Sequence, residues 1–147
     1  MVESKMWFEC MTECIYTDEI TAKDIKEKST FLIDAMSFTE AEARITDQMR
    51  PYIQGNFEVV AEKRAKYNEI KFDDGDIFFL VKFNLITTND AGQEKRAPLH
   101  VMFRENDFDE AKKAAKTYMN ESMVDYEIEF IKETKIMDVF MRDPVDD

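Results

Sequence analysis

The chain has 147 residues, and 32 Asp or Glu against 20 Lys or Arg give it a formal charge of −12 at neutral pH. Only three Gly and three Pro occur, which excludes a collagen-like, low-complexity or linker-dominated chain, and 44% hydrophobic residues are too many for a disordered acidic tail. A surface this negative repels phosphate backbones and excludes general nucleic-acid binding.

Met1–Lys5 leads directly into Trp7 and Phe8 with no basic segment ahead of an apolar one, and no run reaches the 18 apolar residues of a membrane helix. The expectation is a cytoplasmic protein with no membrane association. In the first predicted strand, Phe8, Cys10, Thr12, Cys14 and Tyr16 share one face, and Glu9 and Glu13 share the other. Four residues of strand span about 13 Å, so Cys10 and Cys14 are too far apart for a disulfide without bending the chain, and they read as reduced core thiols. Residues 17–29 are polar and read as a long hairpin connection to a second strand near 30–35. Ser37-Phe38-Thr39-Glu40 is a capping box that starts a helix running to about Arg50, ahead of Pro51, with Phe38, Ala41, Ile45 and Met49 on one stripe. Phe57, Val59 and Ala61 alternate as a third strand, and Asp73-Asp74-Gly75-Asp76 reads as a solvated turn.

The same order then recurs. Phe78-Phe79-Leu80-Val81 follows Trp7-Phe8-Glu9-Cys10 by 71 residues, Asp107-Phe108-Asp109-Glu110-Ala111 follows Ser37–Ala41 by 70, and Tyr126-Glu127-Ile128 follows Phe57-Glu58-Val59 by 69. Offsets that drift by one residue per element are what small loop deletions between two copies of one unit produce. The expected fold is α+β: a tandem strand-strand-helix-strand repeat, about 6–72 and 77–141. Its strands would join in one mixed, mainly antiparallel sheet with two helices on one face, in a single domain with a short acidic tail.

Trp7-Phe8-Glu9-Cys10, Ser37-Phe38-Thr39-Glu40-Ala41-Glu42-Ala43 and Ile136-Met137-Asp138-Val139-Phe140 together resemble an uncharacterised family of gut anaerobes and their phages, catalogued as domain of unknown function 4494. The resemblance spans nearly the whole chain. It implies a bacterial host cell and a single fold, and it implies no activity.

Chemistry-bearing residues are sparse. His100 is the only histidine and has no Ser or Cys motif beside it, so no catalytic residue is assigned. Two thiols do not complete a zinc site, Asp73, Asp74 and Asp76 lack the ligand ladder of a calcium loop, and glycines at 55, 75 and 92 cannot form a phosphate cradle, so neither metal nor cofactor is expected. Lys63, Arg64 and Lys66 beside Tyr67 could hold a phosphate and stack a base, or could simply guard a sheet edge. Glu40, Glu42 and Asp47 on the first helix oppose in sign Lys112, Lys113 and Lys116 on the second, which suits a partner-facing surface or a homodimer.

The leading expectation is a non-enzymatic acidic binding module, an accessory protein of a phage or mobile element that acts on a host or phage protein, by inhibition or by mimicking nucleic-acid charge. The alternatives are a protein that binds or sequesters a nucleotide-like molecule, and an uncharacterised hydrolase.

Overall fold

The computed structural model describes residues 6–53 and 55–141. In chain order its elements are β1 (Trp7–Thr17), β2 (Asp24–Asp34), α1 (Phe38–Met49), β3 (Asn56–Ala65), β4 (Glu69–Lys71), β5 (Ile77–Thr88), β6 (Glu94–Glu105), α2 (Phe108–Asn120), β7 (Asp125–Glu133) and β8 (Ile136–Phe140). The fold is α+β. The single sheet expected from the sequence is instead two four-stranded sheets, ordered β3-β1-β2-β8 and β4-β6-β5-β7. The described residues divide accordingly into two compact units, one holding the chain up to Lys66 together with the chain from Lys135 onward, the other Tyr67–Thr134.

Each sheet is built on a long hairpin. β1 pairs antiparallel with β2 from Trp7 opposite Asp34 to Thr17 opposite Asp24, so most of the expected 17–29 connection is strand. Its polar residues pair across the ribbon: the Tyr16 hydroxyl donates to Glu27 at 2.7 Å, and Lys26 lies 3.7 Å from Glu13. A wet two-stranded ribbon needs no apolar alternation, which is why the sequence pattern missed it. The turn closes through the Asp18 carboxylate, which accepts the amides of Ile20 and Thr21 at 2.8 and 3.3 Å. β5 and β6 repeat the arrangement from Ile77 opposite Glu105 to Thr88 opposite Glu94.

Both helices start as the capping boxes require. Ser37 accepts the Glu40 amide at 3.1 Å and Asp107 accepts the Glu110 amide at 2.8 Å. Glu40 and Glu110 reach back to the amides of Met36 and Asn106, one residue ahead of each cap. α1 stops at Met49 and tightens into a 3-10 turn at Arg50–Tyr52 that contains Pro51. Fully buried Ala41 and Ile45 face Phe8, Cys10, Phe31 and Ile33; Ala115 and Met119 face Val81, Phe83, Val101 and Phe103. The small Ala side chains let each helix lie close to its sheet, and each large buried side chain contributes roughly 1.5–3 kcal/mol.

The sequence pattern did not reveal the fourth strands. β8 runs parallel to β2, with Val139 opposite Leu32 and Phe140 opposite Ile33, and Phe140 stacks 5.6 Å from Phe31. β4 likewise runs parallel to β6, with Ile70 opposite Met102 and Lys71 opposite Phe103. Ending the chain before Lys135 removes the strand against fully buried Leu32 and Ile33. Such a truncation is expected to leave 94–133 protected from hydrogen exchange while 24–34 exchanges at least tenfold faster, measured by mass spectrometry.

Candidate functional site

Within the second unit a cleft of about 440 Å³ opens between α2 and the β4–β6 edge. Lys71, Asp73, Phe103, Glu105, Glu110, Lys113, Tyr118 and Glu121 are among its lining residues. Phe103 and Tyr118 form an edge-to-face pair 5.7 Å apart, and the Lys71 ammonium sits 5.6 Å from the Tyr118 ring centre. The Tyr118 hydroxyl donates to Glu69, and burial together with that carboxylate pushes the phenol up to about 12. Lys71 also pairs with Glu69 at 3.5 Å. In the first unit the position opposite Ile33, equivalent to that of Lys71 opposite Phe103, is taken by Phe140.

Glu105 ends β6 and is only 8% exposed. Burial pushes its carboxyl up to about 7, helped by a hydrogen bond with the Asp73 carboxyl and by the negative charges of Asp73, Glu110 and Asp107. Asp73 belongs to the acidic turn that the sequence marked as solvated. Its three aspartates are exposed, and the turn is also fastened to the end of β6: Arg104 Nε donates to the Asp73 carbonyl at 2.9 Å and the Asn106 amide group to the Asp74 carbonyl at 3.3 Å. Glu105 was legible only as a charge two residues ahead of the Asp107 cap, where Ala35 precedes Ser37.

A second cleft of about 550 Å³ lies at the C-terminal end of α2, with Glu94 and Asp125 as the charged residues of its lining. Lys63, Arg64, Lys66 and Tyr67 line neither cleft. Lys63 pairs with Glu9 at 3.2 Å across the β1–β3 ladder; Lys66 ends the first unit's opening segment and Tyr67 begins the second unit. Glu42 and Asp47 are exposed on α1, Asp47 pairing with Arg50 at 3.1 Å. Glu40 is half-buried and caps α1, accepting the Met36 amide. Lys112, Lys113 and Lys116 are exposed on α2, and Lys113 borders the first cleft.

The Cys10 thiol is fully buried and donates to Glu62 at 3.8 Å; burial, with Glu62 beside it, pushes it up to about 12. Neither cysteine is in a disulfide. His100 is tied through its backbone, its amide donating to Asn68 Oδ1 and its carbonyl accepting the Asn68 amide, each at 2.8 Å. Burial and the nearby Lys82 lower its pKa against a smaller opposing pull from Glu129, and so favour the neutral imidazole. Among the described residues no group of three or more His, Cys, Asp or Glu could hold a metal ion, and no helix is long and apolar enough to cross a membrane.

Residues 5–142 match the model of a family described as Domain of unknown function (DUF4494), and the chain belongs to that family. No curated protein and no solved structure matches it.

Because the Glu105 carboxyl is held above its ordinary value in the folded state, it favours folding most below about pH 4.5. That contribution is lost as pH rises toward 7. Glu105→Gln is therefore expected to be more stable than the parent at pH 8 by roughly 2–3 kcal/mol and to lose that advantage by pH 4.5, read from urea midpoints across the range. A thiol held protonated is a poor nucleophile. Iodoacetamide at pH 8 is expected to alkylate Cys14 in the folded protein and to reach Cys10 only after unfolding, resolved by peptide mass mapping.

Proposed function

We propose that the protein is a non-enzymatic binding module that engages a positively charged protein partner, as an accessory protein of a phage or mobile element. The observation that carries this reading is the charge balance of the cleft beside α2. Asp73, Glu110 and Glu121, with a Glu105 that is only partly ionised near neutrality, line it against Lys71 and Lys113, and Lys71 is already paired with Glu69. Such a lining attracts a lysine or arginine side chain and repels phosphate, in keeping with a net charge of −12. The partly exposed ring of Tyr118 suits the aliphatic stem of a long basic side chain. A non-catalytic role fits the protonated Cys10 thiol, which is not poised as a nucleophile.

The volume of the cleft favours a second reading. About 440 Å³ is the size of a small-molecule site, so a compact ligand carrying an ammonium or guanidinium group could fill it without a protein partner. A nucleotide held by Lys63, Arg64, Lys66 and Tyr67 has no such support, because those residues line neither cleft.

Affinity capture from host lysate at 50 mM salt is expected to retain a basic protein that is released as salt approaches 0.5 M, where charge screening shortens to a few ångströms. Glu121→Lys is expected to weaken its retention at least fivefold. Retention insensitive to both salt and Glu121→Lys sinks the reading; a thermal shift with small cationic ligands and no captured protein moves it to the second.

A further inference from the structure

Among the described residues β3 ends its sheet with β1 as its one strand neighbour, so an edge of ten residues, Asn56–Ala65, faces outward. The ladder steps from Met11 opposite Ala61 to Thr12 opposite Val59, which leaves Val60 as the extra residue of a bulge. The bulge resets the alternation of side chains. Phe57, Val59, Glu62 and Arg64 stand opposite Cys14, Thr12, Cys10 and Phe8 on the core side, and Glu58, Val60, Ala61 and Lys63 share the outer side. Val60, and Met11 opposite Ala61, are each 40% exposed, so the outer side has an apolar centre with an acid on one flank and a base on the other. Glu58 lies opposite Glu13, a like-charge pair across the ladder, and the Lys26 ammonium answers Glu13 at 3.7 Å.

We infer that the β3 edge is a self-association surface, on which two molecules of this chain pair β3 antiparallel to β3 about a twofold axis between Val60 and Ala61. In that register Glu58 of each molecule faces Lys63 of the other, Val60 faces Ala61, and the Phe57 ring faces the Arg64 guanidinium. Both bulges fall at the axis, so residues of the same side stay opposite one another along the whole edge. Lys63 is 74% exposed even with Glu9 at 3.2 Å, and an ammonium has donors for a second carboxylate. Glu62, opposite Val59, stays turned to the Cys10 thiol. The main-chain groups along the edge gain partners, and a twofold contact of this kind closes on itself. β7 is the equivalent edge of the second unit and is built against the same event. Its bulge falls at the matching place, with Phe130 opposite Lys82 and Ile128 opposite Phe83, but the extra residue is Glu129, and Asp125, Glu127 and Glu133 add to it against Lys132. Acids along an edge are how strands are guarded from pairing. The surface gives Lys63 and Arg64 a role that neither cleft supplies, and it does not depend on what the clefts bind.

Sedimentation equilibrium of the full chain tests it at about 0.15 M salt, where the −12 of each molecule is screened beyond roughly 8 Å. One strand edge buries less than the roughly 1,200 Å² of a standard interface, so the parent is expected to pass from monomer to dimer between about 5 and 500 μM. Over the same range amide exchange across 56–65 is expected to slow at least threefold, with that across 125–133 unchanged. Lys63→Glu and Glu58→Lys each set like charges together at both flanks, and each is expected to weaken the dimer at least tenfold. Mixed in equal amounts, the two variants again place opposite charges at both flanks and are expected to dimerise within threefold of the parent. Circular dichroism checks that each variant folds; Glu58→Lys also relieves the contact with Glu13 and stands as the test by itself if Lys63→Glu, which loses Glu9, does not fold. A parent chain that stays monomeric, a dimer that persists in a folded single variant and so forms through another face, or a mixture of folded variants that stays monomeric overturns the inference.

Discussion

A tight hairpin leaves the outer edge of its second strand without a partner, and closing that edge is the constraint on which this structure depends. A parallel neighbour cannot arrive through a short turn, so the chain must travel before it returns. β2 is closed by β8, from the far end of the sequence, and β6 by β4, which precedes its own hairpin. The first unit is therefore not a continuous stretch of sequence, whereas the second is. The first takes back the chain from Lys135 onward, and the second begins at Tyr67, ahead of the acidic turn that would otherwise look like a boundary.

The readable parts of the fold were those set by local chemistry. Ser37 with Glu40 and Asp107 with Glu110 mark helix starts because a cap is satisfied within four residues, and the Ala-centred stripes mark the faces those helices bury. The fourth strands left no comparable trace. Three residues at Glu69–Lys71 and five at Ile136–Phe140 are too short for a period to be distinguished, and their partners lie about thirty or one hundred residues away. The outer halves of the hairpins were hidden for a different reason. Lys26, Glu27 and Lys28 are strand residues held by cross-strand pairing in solvent, whereas sequence patterns detect only strands with a buried face.

The candidate site was less legible still, because it exists through differences between the units and through contacts distant in sequence. Glu105 meets Asp73 across 32 positions, and a lone glutamate at the end of Val101-Met102-Phe103-Arg104 carries no mark of burial. The basic cluster at 63–66 looked more like a site because its charges are adjacent, yet adjacent residues in a strand point to opposite faces. Lys63 turns to Glu9 on one face, whereas Glu62 turns to Cys10 on the other.

Phe140 and Ala35 in the first unit stand where the second has Lys71 and Glu105, so one helix–sheet margin carries a phenyl ring and a methyl where the other carries charge. The second arrangement is the costlier one. A carboxyl that is 8% exposed loses solvation, and the approach of Asp73, Asp107 and Glu110 worsens the penalty in a chain already carrying −12. A methyl at the equivalent place has no such cost, so packing alone gives no reason for a glutamate there. Local rules fail most often where a site needs them to, and a buried acid facing a cleft, beside a second acid on a glycine-seated turn, is such a failure. Glu105 is accordingly the residue whose place in the fold packing explains least.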